Sequence, residues 1–426
     1  MSVLSDRIRA IVRPPAEPSA RSTDESQIAS PHSLASLGGD WREGTFVIER
    51  TWAPESRHGR DAIGTYAACA DEAASAVRLL APAARAPLVF FDLETTGLSG
   101  GAGTIAFLVG CGSFQRDGGF IARQFLLTTP AGERGLLEQV HGELAAAGAI
   151  VSFNGKSFDG PLLESRFAYH RLARTLAEQP HVDALHPARQ FWASSNAAPP
   201  APRWSNPGAP ASRCADCSLV SLERRLLGVV RAGDVDGFEV PSRYFQFLRT
   251  GDERPLEAVL EHNRLDLLTL AALTARLLAL AHGGAGAARD GREGVALGRI
   301  YARAGEDRRA RDAFERGIEL AASRDDGQSM VDGLRGLAGL LRRTRDYQRA
   351  AVCWRQLIEL DECPSAVARE AAEALAIHHE HRVRDLEAAK QFALRSLKET
   401  ERTPRWVAGV RYRVARIERK LSGRLL

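Results

Sequence analysis

Paired acidic residues at the end of an apolar run suggest metal chemistry in this 426-residue sequence. The run Leu88–Glu94 is followed by Thr-Thr-Gly97, and it contains Asp92 and Glu94. Successive strand side chains point to opposite faces, so these two carboxylates should share one face. They would repel each other unless a cation lay between them, and hard divalent cations such as Mg²⁺ are bound in this way. The alternative is that acidic residues simply end a strand at a turn.

A second motif, Ser152-Phe-Asn-Gly-Lys-Ser-Phe-Asp159, lies where a predicted strand leads into a predicted helix. Asp159 falls near the helix N-terminus, where an Asp often serves only as a cap. Asn154 could contact substrate or a metal-bound water, or it could simply form the turn. Asp183, which ends a later short strand, is a further acidic residue for which a structural role is favoured.

A third motif, His262-Asn-Arg-Leu-Asp266, lies on a long predicted helix. An offset of four residues places His262 and Asp266 on one helical face. Most pairs at this spacing belong to a solvated surface. Asp266, however, borders an apolar stripe of leucines, where a buried charge needs a partner.

The elements that must position these residues follow an α/β order. Three predicted strands with short connections indicate an antiparallel meander, which is followed by helices alternating with short strands. The order is that of an RNase H-like domain with a mixed sheet. The predicted strands are 45–48, 88–94, 105–109, 120–127, 149–152 and 182–183, and the predicted helices are 62–80, 133–147, 158–173, 219–227 and 255–281.

The C-terminal part is repetitive and helical. The pattern that begins at Asp307 recurs at Asp346 and again at Asp385, with a period of roughly 40 residues. Small residues where helices approach, with large residues four positions on, indicate helical hairpins that stack into a solenoid. The period is longer than that of a standard tetratricopeptide repeat, so longer connecting turns are expected.

These patterns divide the chain into four parts. Residues 1–39 form a mobile arm, 40–281 an RNase H-like domain with an N-terminal extension, 282–288 a Gly- and Ala-rich flexible linker, and 289–426 the helical repeats. Charge divides in the same way, because residues 281–426 carry 29 Lys and Arg against 22 Asp and Glu, whereas residues 1–280 have a balance of −3. The basic second part would suit an anionic partner.

Composition excludes several classes of protein. Hydrophobic residues at 44% and charged residues at 26% are near globular averages, so wholesale disorder is excluded. Six scattered cysteines are too few for a disulfide scaffold, and together with the absence of a secretory signal they favour the reducing cytoplasm. No apolar run is long and uninterrupted enough to predict a membrane span.

Two other short motifs suggest different kinds of site. Cys214-Ala-Asp-Cys217 could be half of a zinc site or a redox pair, although two loop cysteines before a helix are the favoured interpretation. The glycines of 101–106 match a dinucleotide-binding fingerprint loosely, but the residues that follow predict a strand where that motif requires a helix.

Taken together, the three acidic motifs resemble those of the DEDD exonuclease superfamily. A closer resemblance is to the YprB-type RNase H-like family, carried by residues 97–103, by 106–110 and by His262, Asn263 and Asp266. Members of that group also have a tetratricopeptide-like tail. The resemblance covers about residues 40 to 281, with added support from the tail.

The resemblance implies a metal-dependent nuclease of the 3′–5′ exonuclease or ribonuclease type. Asp92, Glu94, Asp159 and Asp266 would hold two Mg²⁺ or Mn²⁺ ions for hydrolysis of phosphodiesters in RNA or single-stranded DNA. His262 would orient the attacking water. It has the spacing of the Tyr subclass but is a His, which departs from the superfamily pattern.

An adaptor is the alternative hypothesis, in which the solenoid binds a protein partner and the nuclease-like domain is an inactive scaffold. The predicted last helix carries seven basic residues against Glu418, with Trp406 and Tyr412 interleaved. Such a surface could attract phosphates, or it could be the solvated outer face of a capping helix.

Overall fold

A computed structural model describes residues 34, 36–97, 103–173, 176–193, 217–361, 363–397 and 404–423. Seven of the strands in this part of the chain form one sheet in the order β1-β2-β7-β6-β5-β8-β9, and β3 pairs with β4 as a separate ribbon. The strands are β1 Gly39–Arg42, β2 Thr45–Trp52, β3 Arg57–His58, β4 Asp61–Ala62, β5 Leu88–Thr95, β6 Ala106–Phe114, β7 Phe120–Leu126, β8 Ala149–Ser152 and β9 His181–Asp183.

The sheet is mixed, as the sequence predicted. Strands β5, β6 and β7 form an antiparallel meander, and β2 extends it on the far side of β7. On the other edge, β8 pairs with β5 and β9 pairs with β8 in parallel. A parallel pair needs a crossover, and helical segments supply one before each of these two short strands. The predicted RNase H-like fold class, an α/β domain followed by an all-helical region, is confirmed.

Helices cover both faces of the sheet and make up the C-terminal part. In the α/β part they are α1 Ile63–Glu72, α2 Val77–Leu80, α3 Glu133–Ala145, α4 Asp159–Tyr169, α5 Leu185–Trp192, α6 Leu219–Leu222, α7 Val240–Thr250 and α8 Arg254–Gly283. The C-terminal helices are α9 Gly291–Ala304, α10 Asp307–Arg324, α11 Gly327–Arg343, α12 Tyr347–Glu359, α13 Ser365–His378, α14 Leu386–Leu397 and α15 Pro404–Ser422.

Strand β5 separates two apolar cores because its side chains alternate between the two faces of the sheet. Phe91 packs with residues of α3 and α4 on one face. Phe90 packs with residues of α8 on the other face. Asp92 and Glu94 continue the register of Phe90, so the alternation directs both carboxylates to the face that α8 covers.

Some predicted helices differ in the structure. The helix expected over 62–80 is interrupted after α1 by a 3-10 turn, Ala74–Ala76, before α2 begins. The helix expected over 219–227 is α6 followed by a π turn, Glu223–Leu227. Helices α5 and α7 were not predicted; they have 8 and 11 residues, and each contains a proline near its N-terminus.

Helix α8 is the longest in the described part of the chain, at 30 residues. It is long and apolar enough to cross a bilayer, but 72% of its most apolar window is buried inside the protein. Most of its buried residues contact the sheet, α1 and the first C-terminal helices, as in the central helix of a folded domain. Its apolar character is therefore accounted for by core packing.

The C-terminal helices pack on their neighbours in chain order, from α9 to α15. The repeated aspartates predicted from the sequence lie at helix starts. Asp346 accepts a hydrogen bond from the backbone N–H of Arg349, and Asp385 accepts one from that of Ala388. These side chains cap α12 and α14. Asp307, by contrast, is the first residue of α10 and pairs with Arg343.

Two segments that were predicted to be flexible contain residues with defined contacts in the structure. Leu34 and Leu37, near the end of the predicted mobile arm, are buried, while the rest of that arm up to residue 33 lies outside the described residues. Residues 282–288 are the end of α8 and a 3-10 turn, Gly284–Ala287. Tyr301 Oη donates a hydrogen bond to the carbonyl of Ala281 over 2.7 Å, and Arg309 donates to the same carbonyl over 2.8 Å. These bonds satisfy a helix end, and composition alone does not reveal them.

Candidate active site

Asp92 is held on the α8 face of β5 by a hydrogen-bonded side chain from α8. Asn263 Nδ2 donates to Asp92 Oδ2 over 2.9 Å and also lies 3.3 Å from the backbone oxygen of Asp92. Asn263 is fully buried, and its Oδ1 accepts a hydrogen bond of 2.9 Å from Gln124 Nε2 on β7. The carboxylate is therefore fixed by a chain of amides that crosses three strands of the sheet.

Gly110 makes room for this chain of amides. It lies opposite Asp92 in the register between β5 and β6. A methyl group on Gly110 would lie 2.2 Å from Asn263 Oδ1 and 2.9 Å from Leu267 Cδ1. The glycine therefore permits α8 to approach the sheet closely enough for Asn263 to contact Asp92.

Asp159 begins α4, directly after the turn that follows β8. Asp183 holds this turn, because its carboxylate accepts hydrogen bonds from the backbone N–H groups of Asn154 (2.8 Å) and Lys156 (3.2 Å). Asn154 has a positive φ of 71°, which is the left-handed conformation that Asn tolerates. Asn154 therefore forms the turn, and the structural role predicted for Asp183 matches its contacts.

Asp266 lies against a buried arginine that the sequence did not single out. The guanidinium of Arg231 forms an ion pair with Asp266 Oδ1 and grips Glu223 at both oxygens, over 2.6 and 2.9 Å. Only 3% of the Arg231 side chain is exposed. Arg231 is therefore the partner that was expected for the charge of Asp266 beside its apolar stripe.

His262 lies between two carboxylates. Its Nδ1 is 2.6 Å from Asp234 Oδ1, and its Nε2 is 3.7 Å from Asp266 Oδ2. Burial opposes protonation of the ring, but the charges of Asp266, Glu94 and Asp234 outweigh it, so the pKa of His262 is raised. The structure thus places His262 beside the predicted acidic residues.

The four predicted carboxylates influence one another electrostatically. Burial, and then the charges of Asp266, Glu94 and Asp159, raise the pKa of Asp92 well above its usual range. Burial and nearby carboxylates raise the pKa of Glu94 to about 8, although His262 opposes the shift. Burial and the charge of Asp183 raise the pKa of Asp159 to about 7. The fold has gathered negative charge in a partly buried place, which is costly without a cation.

The donor set fits hard divalent cations. All four candidate side chains are carboxylates, which are the ligands that Mg²⁺ and Mn²⁺ favour. Among the residues that the structure describes, no three His, Cys, Asp or Glu side chains are already arranged as ligands of one ion. Asp266 is engaged by Arg231, so one of the four carboxylates is already paired with a cation of the protein.

Comparisons with known proteins identify the family of this chain. The family model of the RNase_H superfamily matches residues 89–278, which include all four carboxylates and His262. The "Uncharacterized protein YprB" of Bacillus subtilis (strain 168) is 30% identical over 353 residues, covering 79% of this chain and 75% of the relative. The chain belongs to the YprB-type RNase H-like family. The predicted resemblance is thereby confirmed, and this YprB-type chain also has the helical C-terminal part that was expected.

Sequence reasoning missed several residues that support the candidate site of this YprB-type chain. Gln124, Glu223, Arg231 and Asp234 each reach the site through contacts across the fold. The only signal available was Arg231-Ala-Gly-Asp234, a glycine-containing segment with two charges of opposite sign before the His262 helix. The Cys214–Cys217 motif is untested, because Cys214 lies outside the described residues.

Proposed function

We propose that this protein is a metal-dependent nuclease that hydrolyses phosphodiester bonds of RNA or single-stranded DNA from a 3′ end. The observation that supports the proposal most is the electrostatic coupling of Asp92 on β5 to Glu94, to Asp159 at the start of α4 and to Asp266 on α8. Partly buried carboxylates that lie close enough to repel one another are stabilised by bound cations. A nuclease of this fold uses such cations for its chemistry.

Asp92, Glu94, Asp159 and Asp266 would hold the two Mg²⁺ or Mn²⁺ ions. When bound, the ions would lower the pKa of a water nucleophile and stabilise the negative charge on the leaving oxygen. Asn263 would keep Asp92 in the orientation for this task through its hydrogen bond of 2.9 Å. His262 would orient the attacking water and accept its proton at Nε2, since Nδ1 is already engaged by Asp234.

Cleavage of end-labelled single-stranded RNA and DNA tests this proposal. We expect shortening from the 3′ end with Mg²⁺ or Mn²⁺ and no cleavage with a chelator. Asp92→Asn preserves the shape of the side chain but removes its charge. It should reduce kcat/KM by more than the roughly 10- to 100-fold cost of disturbing groups that merely support a metal ligand.

Glu138→Gln is the matched control, because Glu138 is a half-exposed carboxylate that pairs with Arg134 on α3. It should cleave like the wild type. Cleavage that survives the chelator, or an Asp92→Asn variant as fast as the wild type, would contradict the proposal. Internal products that appear before shortened ends would show an endonuclease.

The adaptor hypothesis is supported by one feature of the helical part. A cavity of about 250 Å³ lies between α12 and α13, with Tyr347 and Trp354 in its lining together with Arg342, Arg382 and two histidines. Arg382 stacks over the ring of Tyr347 at 3.9 Å. This lining contains no acidic residue, so it suits an anionic segment of a partner. Copurification of a protein with the wild-type chain, and its loss in the Arg342→Ala and Arg382→Ala variants, would support the adaptor hypothesis.

The cytoplasm is the location that we propose for this activity. Cys69, Cys111 and Cys353 carry free thiols, as expected in a reducing compartment. Fractionation of cells that produce the protein would test this, and recovery from the secreted fraction would contradict it.

A further inference from the structure

The carboxylate of Asp234 has three defined contacts next to the site. Oδ1 accepts a hydrogen bond from His262 Nδ1 at 2.6 Å and one from the backbone N–H of Val235 at 2.9 Å. Oδ2 lies 3.2 Å from Arg231 Nη1. Val235 is buried, so the backbone that carries Asp234 is anchored in the core. The side chain is thus held on both oxygens and is directed at one ring nitrogen of His262.

Arg231 fixes this carboxylate to the rest of the site. Its guanidinium is gripped by Glu223 at both oxygens and also contacts Asp266. Thr269 on α8 donates a hydrogen bond of 2.6 Å to the same Glu223. Asp234 and Asp266, which flank the His262 ring, are therefore held by a single buried cation that is tied to α8.

The contact with Asp234 determines how His262 can act. Because Nδ1 donates its proton to a carboxylate, Nε2 is the nitrogen that is available to exchange a proton. The ring plane is also fixed, with Nε2 on the side of Asp266, 3.7 Å from Oδ2. An imidazole without this partner could rotate or change its tautomer, and it would lose that orientation.

We infer that Asp234 is a positioning residue for the reaction: it orients His262 so that Nε2 faces the carboxylates, and Arg231 holds Asp234 in place. The inference rests on the proposed nuclease function, and it adds a residue that lies outside the three acidic motifs. It predicts that Asp234 acts only through His262.

A double-mutant cycle tests this coupling. The variants are Asp234→Ala, His262→Ala and the double variant, assayed for kcat and KM on a labelled single-stranded oligonucleotide. We expect Asp234→Ala to lower kcat by roughly 10- to 100-fold with little change in KM. In the His262→Ala background, the same change should have almost no further effect. Asp234→Asn should recover part of kcat, since its amide oxygen still accepts from Nδ1.

Asp236→Asn is the matched control, because Asp236 lies in the same segment and its carboxylate bonds only to the backbone N–H of Phe238 among the contacts described. A readout without metal or substrate accompanies the kinetics. In the metal-free protein, the Nδ1 proton of His262 should give a downfield imidazole resonance that Asp234→Ala removes and Asp236→Asn keeps. Melting temperatures show whether each variant folds. If Asp234→Ala does not fold, the same double-mutant cycle with Asp234→Asn tests the coupling between Asp234 and His262.

The outcomes separate this inference from the proposed function. If the wild type cleaves, Asp92→Asn does not, and Asp234→Ala keeps the wild-type kcat, only the inference is wrong. Additive losses in the double variant would also overturn it, because Asp234 would then act independently of His262. If the wild type does not cleave nucleic acid, the proposed function fails and the inference fails with it.

Discussion

Asn263 donates a hydrogen bond to Asp92 Oδ2 over 2.9 Å, although 171 residues separate the two in the chain. The amide is fully buried and is itself held by Gln124. This contact connects the strand that begins the site with the helix that completes it. It also accounts for a carboxylate that keeps one orientation in the midst of other negative charges.

Replacing Asn263 with Ala should therefore impair both stability and activity. The change leaves Gln124 Nε2 with one buried acceptor fewer and releases Asp92. We expect the free energy of unfolding to fall by about 1–3 kcal/mol. We expect kcat/KM to fall roughly 10- to 100-fold. Urea unfolding and oligonucleotide cleavage measure these effects, and Gln179→Ala, an exposed amide, should change neither. A variant with the wild-type kcat/KM would show that the contact does not matter for catalysis.

Gly110→Ala should disturb the same contact from the other side. The added methyl group would lie 2.2 Å from Asn263 Oδ1, so the helix or the amide must move. Overpacking of this kind costs about 1–3 kcal/mol. Gly142→Ala is the matched control, because open space surrounds that position on α3 and Ala favours a helix by up to about 1 kcal/mol. Chemical unfolding of both variants gives the comparison, and equal stabilities would contradict the close approach.

The stability of the metal-free protein should depend on pH with a defined sign. The folded protein raises the pKa of Glu94 to about 8 and of Asp159 to about 7. Between about pH 4, the unfolded value, and pH 8 the folded state therefore binds more protons, so stability falls as the pH rises. Burial lowers the pKa of His58 and of His181 to about 4, and these two groups act in the opposite direction up to about pH 6.5. Melting temperatures in the presence of a chelator should therefore decrease between about pH 6.5 and pH 8.

Glu94→Gln tests the origin of that dependence, because it removes a charge that the fold disfavours. In a chelator near pH 8, the variant should melt at a higher temperature than the wild type, even though it should not cleave nucleic acid with Mg²⁺. The slope of its melting temperature against pH should be smaller. A slope equal to that of the wild type would place the pH dependence elsewhere.

The α/β part and the first C-terminal helices should unfold together. Leu297 on α9 is fully buried in a core that also contains Leu273 and Leu277 of α8. Leu297→Ala should cost about 2–5 kcal/mol. Heat inactivation of cleavage and the loss of helical circular dichroism should shift by the same amount. Leu394→Ala, at a side chain that is 42% exposed, should shift neither. Two calorimetric transitions, only one of which moves, would show that the two parts unfold independently.

The strands and the long helices could be predicted because their signals are local. Alternation along β5 gave both the strand and the shared face of Asp92 and Glu94, and it needed no tertiary information. The recurring Asp346 and Asp385 reported real helix caps. Where the pattern was short, as in α5 and α7, tertiary packing decided the structure and the sequence alone was insufficient.

The supporting residues of the site could not be predicted for a different reason. Gln124 and Arg231 contact α8 only because strand order and loop path bring them there. A glutamine in a strand and an arginine in a loop look like ordinary surface residues until their neighbours are known. The contacts at the end of α8 belong to the same class, since Tyr301 on α9 and Arg309 on α10 both donate to the carbonyl of Ala281.

Helix α8 carries both the proposed catalytic motif and the attachment of the helical repeats. His262, Asn263 and Asp266 lie in its first half, and the second half shares its core with α9. Consider a chimaera in which the solenoid is replaced with that of a relative and joined at 282–288. The second half of α8 would then pack against side chains of the relative, which did not evolve with it. Helix α9 in turn packs closely on α10, with Gly294 against Gly317, so α8, α9 and α10 must be transplanted as one block.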